Sequence, residues 1–215
     1  MLSSFILMLF NKILPLASAT LIPLAACASS SISDIKNPPP LKVEPVVGLV
    51  DAKKVVEIKV ENKTWKCPGC NYNEKYVLEK LQEKTKISDR NALATIMGNI
   101  KSESNFHPNI CEGGARVPYN RCQRGGYGLI QWTSVGRYRN LGVFAKRYGY
   151  DPSSLEGQTA YMINESVFQR YLPEFEGNGQ TVDQYMVAAY YWLGWGIKGH
   201  RQKYAYDYTK KLVWA

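Results

Sequence analysis

The chain is short of histidine, of acidic residues and of long apolar runs, and each shortage excludes a class of function. It contains 2 His among 215 residues, and two separated imidazoles do not form a metal-ligand set, so a metalloenzyme is disfavoured. The longest apolar run, residues 13–26, has about 14 residues, fewer than the roughly 20 that cross a bilayer as a helix. With 18 Asp+Glu against 27 Lys+Arg the net charge is +9, which favours a polyanionic partner such as nucleic acid, anionic lipid or bacterial wall polymer.

The remaining composition is that of a globular protein. Hydrophobic residues make up 45% and charged residues 21%, which disfavours wholesale disorder and a multi-span membrane protein. The length corresponds to one domain plus extensions, because a domain averages roughly 150 residues.

Residues 1–27 are predicted to be a signal peptide. The single charge, Lys12, precedes the apolar run, as in bacterial export signals. The run ends in Leu24-Ala25-Ala26-Cys27, which resembles a lipoprotein lipobox whose cysteine thiol receives the lipid. We therefore expect lipidation at Cys27 and a membrane anchor. The alternatives are a cleaved secretory signal with an incidental cysteine and a slowly released membrane anchor.

Residues 28–66 are predicted to be a flexible tether, and residues 67–215 a catalytic domain. The tether contains Ser29-Ser30-Ser31 and Pro38-Pro39-Pro40, and such composition is typical of linkers. A flexible coil of this length typically reaches on the order of 35 Å. An anchored domain could therefore sample a nearby polymer.

The other cysteines are Cys67, Cys70, Cys111 and Cys122, an even set for which disulfides are expected in an exported chain. Three pairings of these four cysteines are possible. The local pairing, Cys67 with Cys70 and Cys111 with Cys122, closes the shortest loops and would brace the loop between Cys111 and Cys122. Zinc bound by four thiolates is the alternative, but the second pair is not a CxxC knuckle. A thioredoxin-like role for Cys67 and Cys70 is weaker, because no alternating strand and helix pattern surrounds them.

Beyond Cys70 the sequence predicts a mainly helical domain. Capping boxes are expected at Ser153 with Glu156 and at Thr181 with Gln184. The predicted helices cover residues 73–85, 88–105, 135–148, 153–171, 185–193 and 198–212.

The second predicted helix carries a carboxyl group at the edge of its apolar stripe. Leu93, Ile96, Met97 and Ile100 recur at helical spacing, and Glu103 lies beside them near the end of the helix. Burial and the negative end of the helix dipole both raise a carboxyl pKa. Glu103 is therefore a candidate proton donor; the alternative is a frayed or rotated helix whose Glu103 faces water.

Two motifs resemble the lysozyme-like superfamily of peptidoglycan-cleaving enzymes. The first is residues 103–108, Glu-Ser-Asn-Phe-His-Pro, and the second is residues 126–132, Gly-Tyr-Gly-Leu-Ile-Gln-Trp. The closest resemblance is to the phage tail lysozyme family, which continues with Thr133, with a helix containing an arginine at Arg137, and with a helix opened by a glutamine at Gln158. The likeness covers about residues 89–171 well.

This resemblance implies a mainly α, lysozyme-like helical domain with a small loop or β-hairpin region beside the active-site cleft. It implies that Glu103 is the general acid that protonates the glycosidic oxygen. Glu112, on the loop that begins at Cys111, is the nearest candidate for the second carboxylate that hydrolysis needs. No cofactor or metal is implied.

Four residues are expected to bind substrate: Tyr127, Gln131, Trp132 and Gln158. Gln158 is taken from the resemblance. Gln131 can bond N-acetyl groups, and the two aromatic rings offer flat faces to pyranoses. The glycines at 126 and 128 would let the backbone lie flat against the glycan. Three aromatics inside an apparently buried helix, at residues 190–192, are instead expected to pack in the core.

We expect a muramidase that cuts the MurNAc-GlcNAc backbone of peptidoglycan. A lytic transglycosylase is the first alternative, since it needs one acid/base, although residues 189–191 read Ala-Tyr-Tyr and lack the Asn of its Ala-Tyr-Asn signature. A Cys/His amidase or peptidase could pair Cys111 or Cys122 with His107 or His200. A noncatalytic wall-binding lipoprotein is the third alternative.

The expected location is outside the cytoplasm. We expect a lipoprotein that faces the cell wall in the periplasm, or a phage-encoded protein that is released or virion-associated. The expected partners are peptidoglycan and, through the lipid on Cys27, a membrane. Nucleic acid is not expected to meet an exported protein, and the catalytic domain is expected to be monomeric.

Overall fold

The computed structural model describes residues 63–123 and 125–215. The predicted signal peptide, Cys27 and most of the predicted tether lie outside the described residues. The described part is mainly helical, as expected. Its helices are α1 (Tyr72–Lys84), α2 (Arg90–Ser104), α3 (Val135–Tyr148), α4 (Leu155–Asn164), α5 (Ser166–Phe175), α6 (Val182–Leu193) and α7 (Arg201–Lys211). Within this part of the chain, no helix has the length and apolar character needed to cross a membrane.

A two-stranded antiparallel sheet joins the two ends of the described domain. Strand β1 (Trp65–Lys66) pairs with β2 (Val213–Trp214), and Trp65 lies opposite Trp214. The two indole rings meet edge to face at 5.1 Å, and Trp65 Nε1 donates to the Ser88 carbonyl at 2.8 Å. The last residues of the predicted tether therefore pack on the helical domain.

Side-chain caps fix where the helices begin. Asp89 accepts from the first backbone N–H groups of α2, and Thr181 and Gln184 form the predicted capping box of α6. Such caps satisfy N–H groups that have no partner inside the helix. Helix α3 has the predicted bounds, with Ser134 as its cap and Gly149 at its end.

The helix predicted over residues 153–171 is in fact two helices. The cap lies one residue later than expected, because it is Ser154 that accepts from Gly157 N. The hydroxyl of Ser153 accepts instead from the backbone N–H of Tyr119 at 2.8 Å, so the expected capping box is wrong. An extended residue, Glu165, separates α4 from α5.

Helix α2 lies at the centre of the core. Its residues from Ala92 to Ile100 are all buried, and α7 packs along it. Gly98 permits this close approach, because a Cβ there would lie 2.4 Å from the backbone nitrogen of Ala205 in α7. This contact places the beginning of α7 beside the end of α2.

Helix α6 is buried on one face only. Trp192 packs in the core as expected, but Tyr190 is 47% exposed and Tyr191 is 58% exposed. The expectation that all three pack in the core is wrong for the tyrosines, because the buried positions of α6 follow the face of Tyr185, Ala189 and Trp192.

Candidate active site

Glu103 lies in the last turn of α2 and lines a cleft of about 560 Å³. Its side chain is 13% exposed. The other lining residues come from two stretches of chain: one runs from the end of the glycine-rich motif into α3, and the other runs from the end of α6 to the first residue of α7. They are Ile130, Gln131, Thr133, Ser134, Arg137, Leu193, Gly194, Trp195, Gly196, Ile197 and Arg201.

A buried arginine from α7 holds the carboxylate of Glu103. Arg201 Nη2 donates to Glu103 Oε1 at 2.5 Å. Its Nη1 donates to the carbonyls of Ile197 and Lys198 at 2.8 and 3.0 Å. The guanidinium carbon also lies 4.9 Å from the centre of the Trp195 ring. Arg201 is therefore fixed before any ligand arrives.

Burial and Arg201 act on the acidity of Glu103 in opposite directions. Burial is the larger effect and raises the pKa of this carboxyl, because it disfavours the anion. The hydrogen bond and charge of Arg201, and the charge of Arg137, lower it in part. The pKa of Glu103 stays above its usual value, as the position near the apolar stripe predicts.

Sequence reasoning missed Arg201. It lies 98 residues after Glu103, and no local pattern relates them. The helix predicted over residues 198–212 gave no sign of a buried residue, whereas the first residue of α7 is buried against the carboxylate.

A second cleft arginine is held by its own buried carboxylate. Arg137 Nε and Nη2 donate to the two carboxylate oxygens of Glu165 at 2.6 and 2.7 Å. Paired bonds of this kind fix the plane of a guanidinium group. Arg137 is thus held at the cleft wall, and the buried carboxylate of Glu165 has its charge and both oxygens paired.

The loop that carries Glu112 forms isolated antiparallel bridges, between Ile110 and Arg116 and between Cys111 and Tyr127, and a short 3-10 helix over Tyr119–Arg121. Glu112 is exposed on this loop, and its Oε2 accepts from Gly126 N at 3.0 Å. Glu112 is thus not among the described residues that form the wall of the cleft with Glu103.

Tyr127 and Trp132 have no face to offer a sugar, because both are fully buried. The Tyr127 hydroxyl donates to the Val117 carbonyl at 3.1 Å. The Trp132 ring packs 5.3 Å from that of Tyr161. Their assignment as sugar platforms is wrong for this structure; the loop folds inward and both rings fill the core.

Gln158 is also buried and joins protein segments to each other. Its Oε1 accepts from Leu129 N at 2.8 Å, while its Nε2 donates to the carbonyls of Pro108 and Pro152 at 2.6 and 2.7 Å. These bonds occupy the amide, which contradicts its expected contact with substrate. A Cβ at Gly128 would lie 2.2 Å from Gln158 Oε1, so this glycine makes room for a protein side chain.

Gln131 is the expected substrate residue that lines the cleft. Its Nε2 donates to the carbonyls of Ile110 and Gly128 at 3.3 and 3.1 Å. A Cβ at Gly126 would meet its side chain at 2.7 Å, so the glycine at 126 also accommodates protein. Gln131 combines a fixed position with access to the cleft.

Ser104 connects the acid to the glycine-rich segment. Its buried hydroxyl donates to the Leu129 carbonyl at 2.8 Å. Glu103 and Ser104 therefore have different roles: the Glu103 side chain lines the cleft, and the Ser104 hydroxyl binds the backbone of the glycine-rich segment. The sequence motif contained this residue, but only the structure shows its partner.

The sequence profile of the phage tail lysozyme family matches residues 72–212, a region that runs from the first residue of α1 to just past α7. The chain belongs to the phage tail lysozyme family. Both Glu103 and Arg201 lie within the matched region of this phage tail lysozyme. No curated protein matches the chain in sequence. Membership makes the domain a lysozyme-type enzyme of a peptidoglycan-hydrolysing family.

The cysteines of this phage tail lysozyme form the local disulfides, Cys67 with Cys70 and Cys111 with Cys122. The thiols that a Cys/His amidase would need are thus consumed in the second bond. Among the described residues, no group of three or more His, Cys, Asp or Glu side chains is arranged to hold a metal ion.

Proposed function

We propose that the domain cleaves the MurNAc-GlcNAc bond of peptidoglycan with Glu103 as general acid. The observation that carries the proposal is a largely buried carboxyl, with a raised pKa, at the wall of an open cleft. A raised pKa makes this carboxyl hold its proton more strongly than a solvent-exposed glutamate does. The proton passes to the glycosidic oxygen as that bond breaks and an oxocarbenium-like sugar develops.

Arg201 acts in this proposal as a positioning residue. Its contact with Glu103 Oε1 leaves Oε2 to carry the proton toward the cleft. Once the proton has gone, the carboxylate that remains is paired with a guanidinium group, which favours transfer. Arg201 therefore offsets part of the effect that burial has on the acidity of Glu103.

Hydrolysis also needs a group that activates water, and we propose Glu112 for this role. Glu112 lies on the neighbouring loop and would have to bring its carboxylate into the cleft to activate water. Gln131, Thr133 and Ser134 are polar groups that already line the cleft. Replacing Glu112 by Gln distinguishes these cases, because activity is lost only if the carboxylate is the base.

A lytic transglycosylase is the second candidate, and one observation favours it. Glu103 is the only carboxylate that lines the cleft among the described residues. Transglycosylases of this superfamily need one acid/base, because the muramyl 6-hydroxyl attacks the anomeric carbon internally. No water is then consumed in the cleavage.

The decisive experiment is mass analysis of purified peptidoglycan digested by the protein. New reducing ends support the lysozyme, and anhydro ends support the transglycosylase. Free peptides with intact glycan strands would instead indicate an amidase or peptidase and overturn the proposal.

We propose that the protein is exported, either as a lipoprotein with a lipid on Cys27 that faces the wall in the periplasm, or as a phage-encoded protein that is released or virion-associated. The support is the lipobox-like sequence and the family, both independent of the described fold. Labelling with a fatty-acid analogue tests this proposal. The label should be lost in Cys27→Ser, and an unlabelled parent would contradict lipidation.

A further inference from the structure

Four aromatic rings form a continuous row that starts in the cleft and leads away from it over α6 and α5. We call this row the aromatic strip: Trp195, Tyr190, Tyr191 and Tyr171. Trp195 lies 5.5 Å from Tyr190, Tyr190 lies 5.3 Å from Tyr191, and Tyr191 stacks on Tyr171 at 5.9 Å. Trp195 lines the cleft with Glu103, so the strip continues the surface at which the bond is cut.

The strip tyrosines differ from the tyrosines that hold the fold together. Within the described part of the chain, the hydroxyls of Tyr190, Tyr191 and Tyr171 make no hydrogen bond to protein. The core tyrosines each donate to a protein oxygen; they are Tyr127, Tyr138, Tyr161, Tyr185 and Tyr208. Buried tyrosines normally find such a partner. The strip hydroxyls are thus available to a ligand, and Tyr190 and Tyr191 are 47% and 58% exposed.

We propose that the aromatic strip binds the glycan strand of peptidoglycan beyond the bond that is cut. The inference rests on the proposed function, because it takes its ligand from the cleft that the strip continues. Pyranose rings present flat C–H faces with polar edges, and tyrosine and tryptophan match both features. A strand whose cleaved bond lies at Glu103 would extend over Trp195 and then over the tyrosines.

The charge of the strip favours a neutral sugar backbone over the anionic groups of the wall. Residues 187–197 contain no charged side chain, although the whole chain carries +9. Anionic polymer is expected to bind the basic surface elsewhere. The row is therefore suited to stacking on the pyranose rings of the strand, whose C–H faces carry no charge.

The test measures binding to glycan strands of two lengths by calorimetry. Glu103→Gln is the background, so that the strands stay intact during titration. Tyr190→Ala with Tyr191→Ala is compared with Tyr72→Ala with Tyr148→Ala, which removes two tyrosines that are 69% and 57% exposed on α1 and α3. One strand fills only the cleft, and the other is several disaccharides longer.

The strip double variant should bind the long strand about tenfold more weakly, since each stacking ring contributes modestly and two are removed. Its affinity for the short strand should equal that of the control. Tyr190→Phe with Tyr191→Phe should retain most of the long-strand affinity, because the ring faces remain.

Equal long-strand affinity in the strip and control variants would overturn the proposal. So would equal losses on short and long strands, which would indicate a disturbed fold. If the strip variant changes only self-association in sedimentation, the strip is a protein contact and the proposal is wrong. These outcomes differ from the one that would refute the proposed function. That outcome is a Glu103→Gln variant that still cleaves peptidoglycan.

Discussion

Gly98→Ala should destabilise the domain although alanine favours helix. The added Cβ would lie 2.4 Å from Ala205 N, 2.7 Å from Ala205 Cα and 2.9 Å from Tyr204 C. These are backbone atoms that no rotamer change can move, so α2 and α7 must separate. Overpacking of this kind costs about 1–3 kcal/mol, and the gain in helix propensity offsets about 1 kcal/mol. Because the contacts are so short, we expect a net loss of about 1–2 kcal/mol.

The assay is thermal unfolding followed by circular dichroism. The melting temperature should fall by about 2–8 °C, since 1 kcal/mol corresponds to about 2–4 °C in a domain of this size. Gly136→Ala in α3 is the matched control. A Cβ there meets nothing within 4 Å, so it should stabilise by up to about 1 kcal/mol.

The Gly98 substitution should also lower activity, because separating α7 from α2 moves Arg201 away from Glu103. The control should keep full activity. A Gly98→Ala protein that melts at or above the parent temperature would refute the close packing of the two helices.

Three further predictions concern charge and the disulfide. Arg201→Gln removes a charge and a hydrogen bond that lower the pKa of Glu103, so the pKa of Glu103 should rise further. The alkaline limb of the pH–activity profile should then move to higher pH. An alkaline limb at the parent pH would contradict this role of Arg201. The double variant Cys111→Ser with Cys122→Ser should lose activity while keeping its helical circular dichroism, with a stability loss of about 3 kcal/mol or less for so short a loop. Activation of the parent by a reductant would point instead to a thiol enzyme. Burial alone would raise the pKa of Glu74, but hydrogen bonds and nearby lysines lower it overall. The stability that Glu74 contributes is therefore present above pH 4.5 and is lost as the pH falls through the lowered pKa. Glu74→Gln should make the loss of stability in acid shallower, and an unchanged dependence of stability on acid pH would rule this out.

Local signals predicted the helices well where a cap and an apolar period coincide. Helix α3 has the predicted bounds of residues 135 and 148, and Thr181 caps α6 as predicted. The interruption at Glu165 was missed because the buried bond to Arg137, 28 residues away, is a tertiary contact. Periodicity carries no information about such a partner.

The sequence predicted the acidic residue of the site, Glu103, better than it predicted the residues that surround the cleft. Glu103 stood out because a carboxyl at the edge of an apolar stripe breaks the pattern, and a family motif contains it. Tyr127 and Trp132 were assigned to sugar because their residue types suit it, but type does not say whether a loop folds inward. The exposed faces of Tyr190 and Tyr191 were missed for the converse reason: an aromatic run in a helix has two sides, and only packing decides which is buried.

The most direct measurement compares Glu103→Gln with the parent on purified peptidoglycan, with products identified by mass. Gln keeps the size of the side chain but cannot deliver a proton, so cleavage should fall at least about a hundredfold. The variant should remain folded and, at neutral pH, should be as stable as the parent or more so. The reason is that the raised pKa of Glu103 gives stability that is present below its unfolded-state pKa and is lost as pH rises through the folded-state value. A folded Glu103→Gln protein that still releases muropeptides at the parent rate would contradict the proposed mechanism.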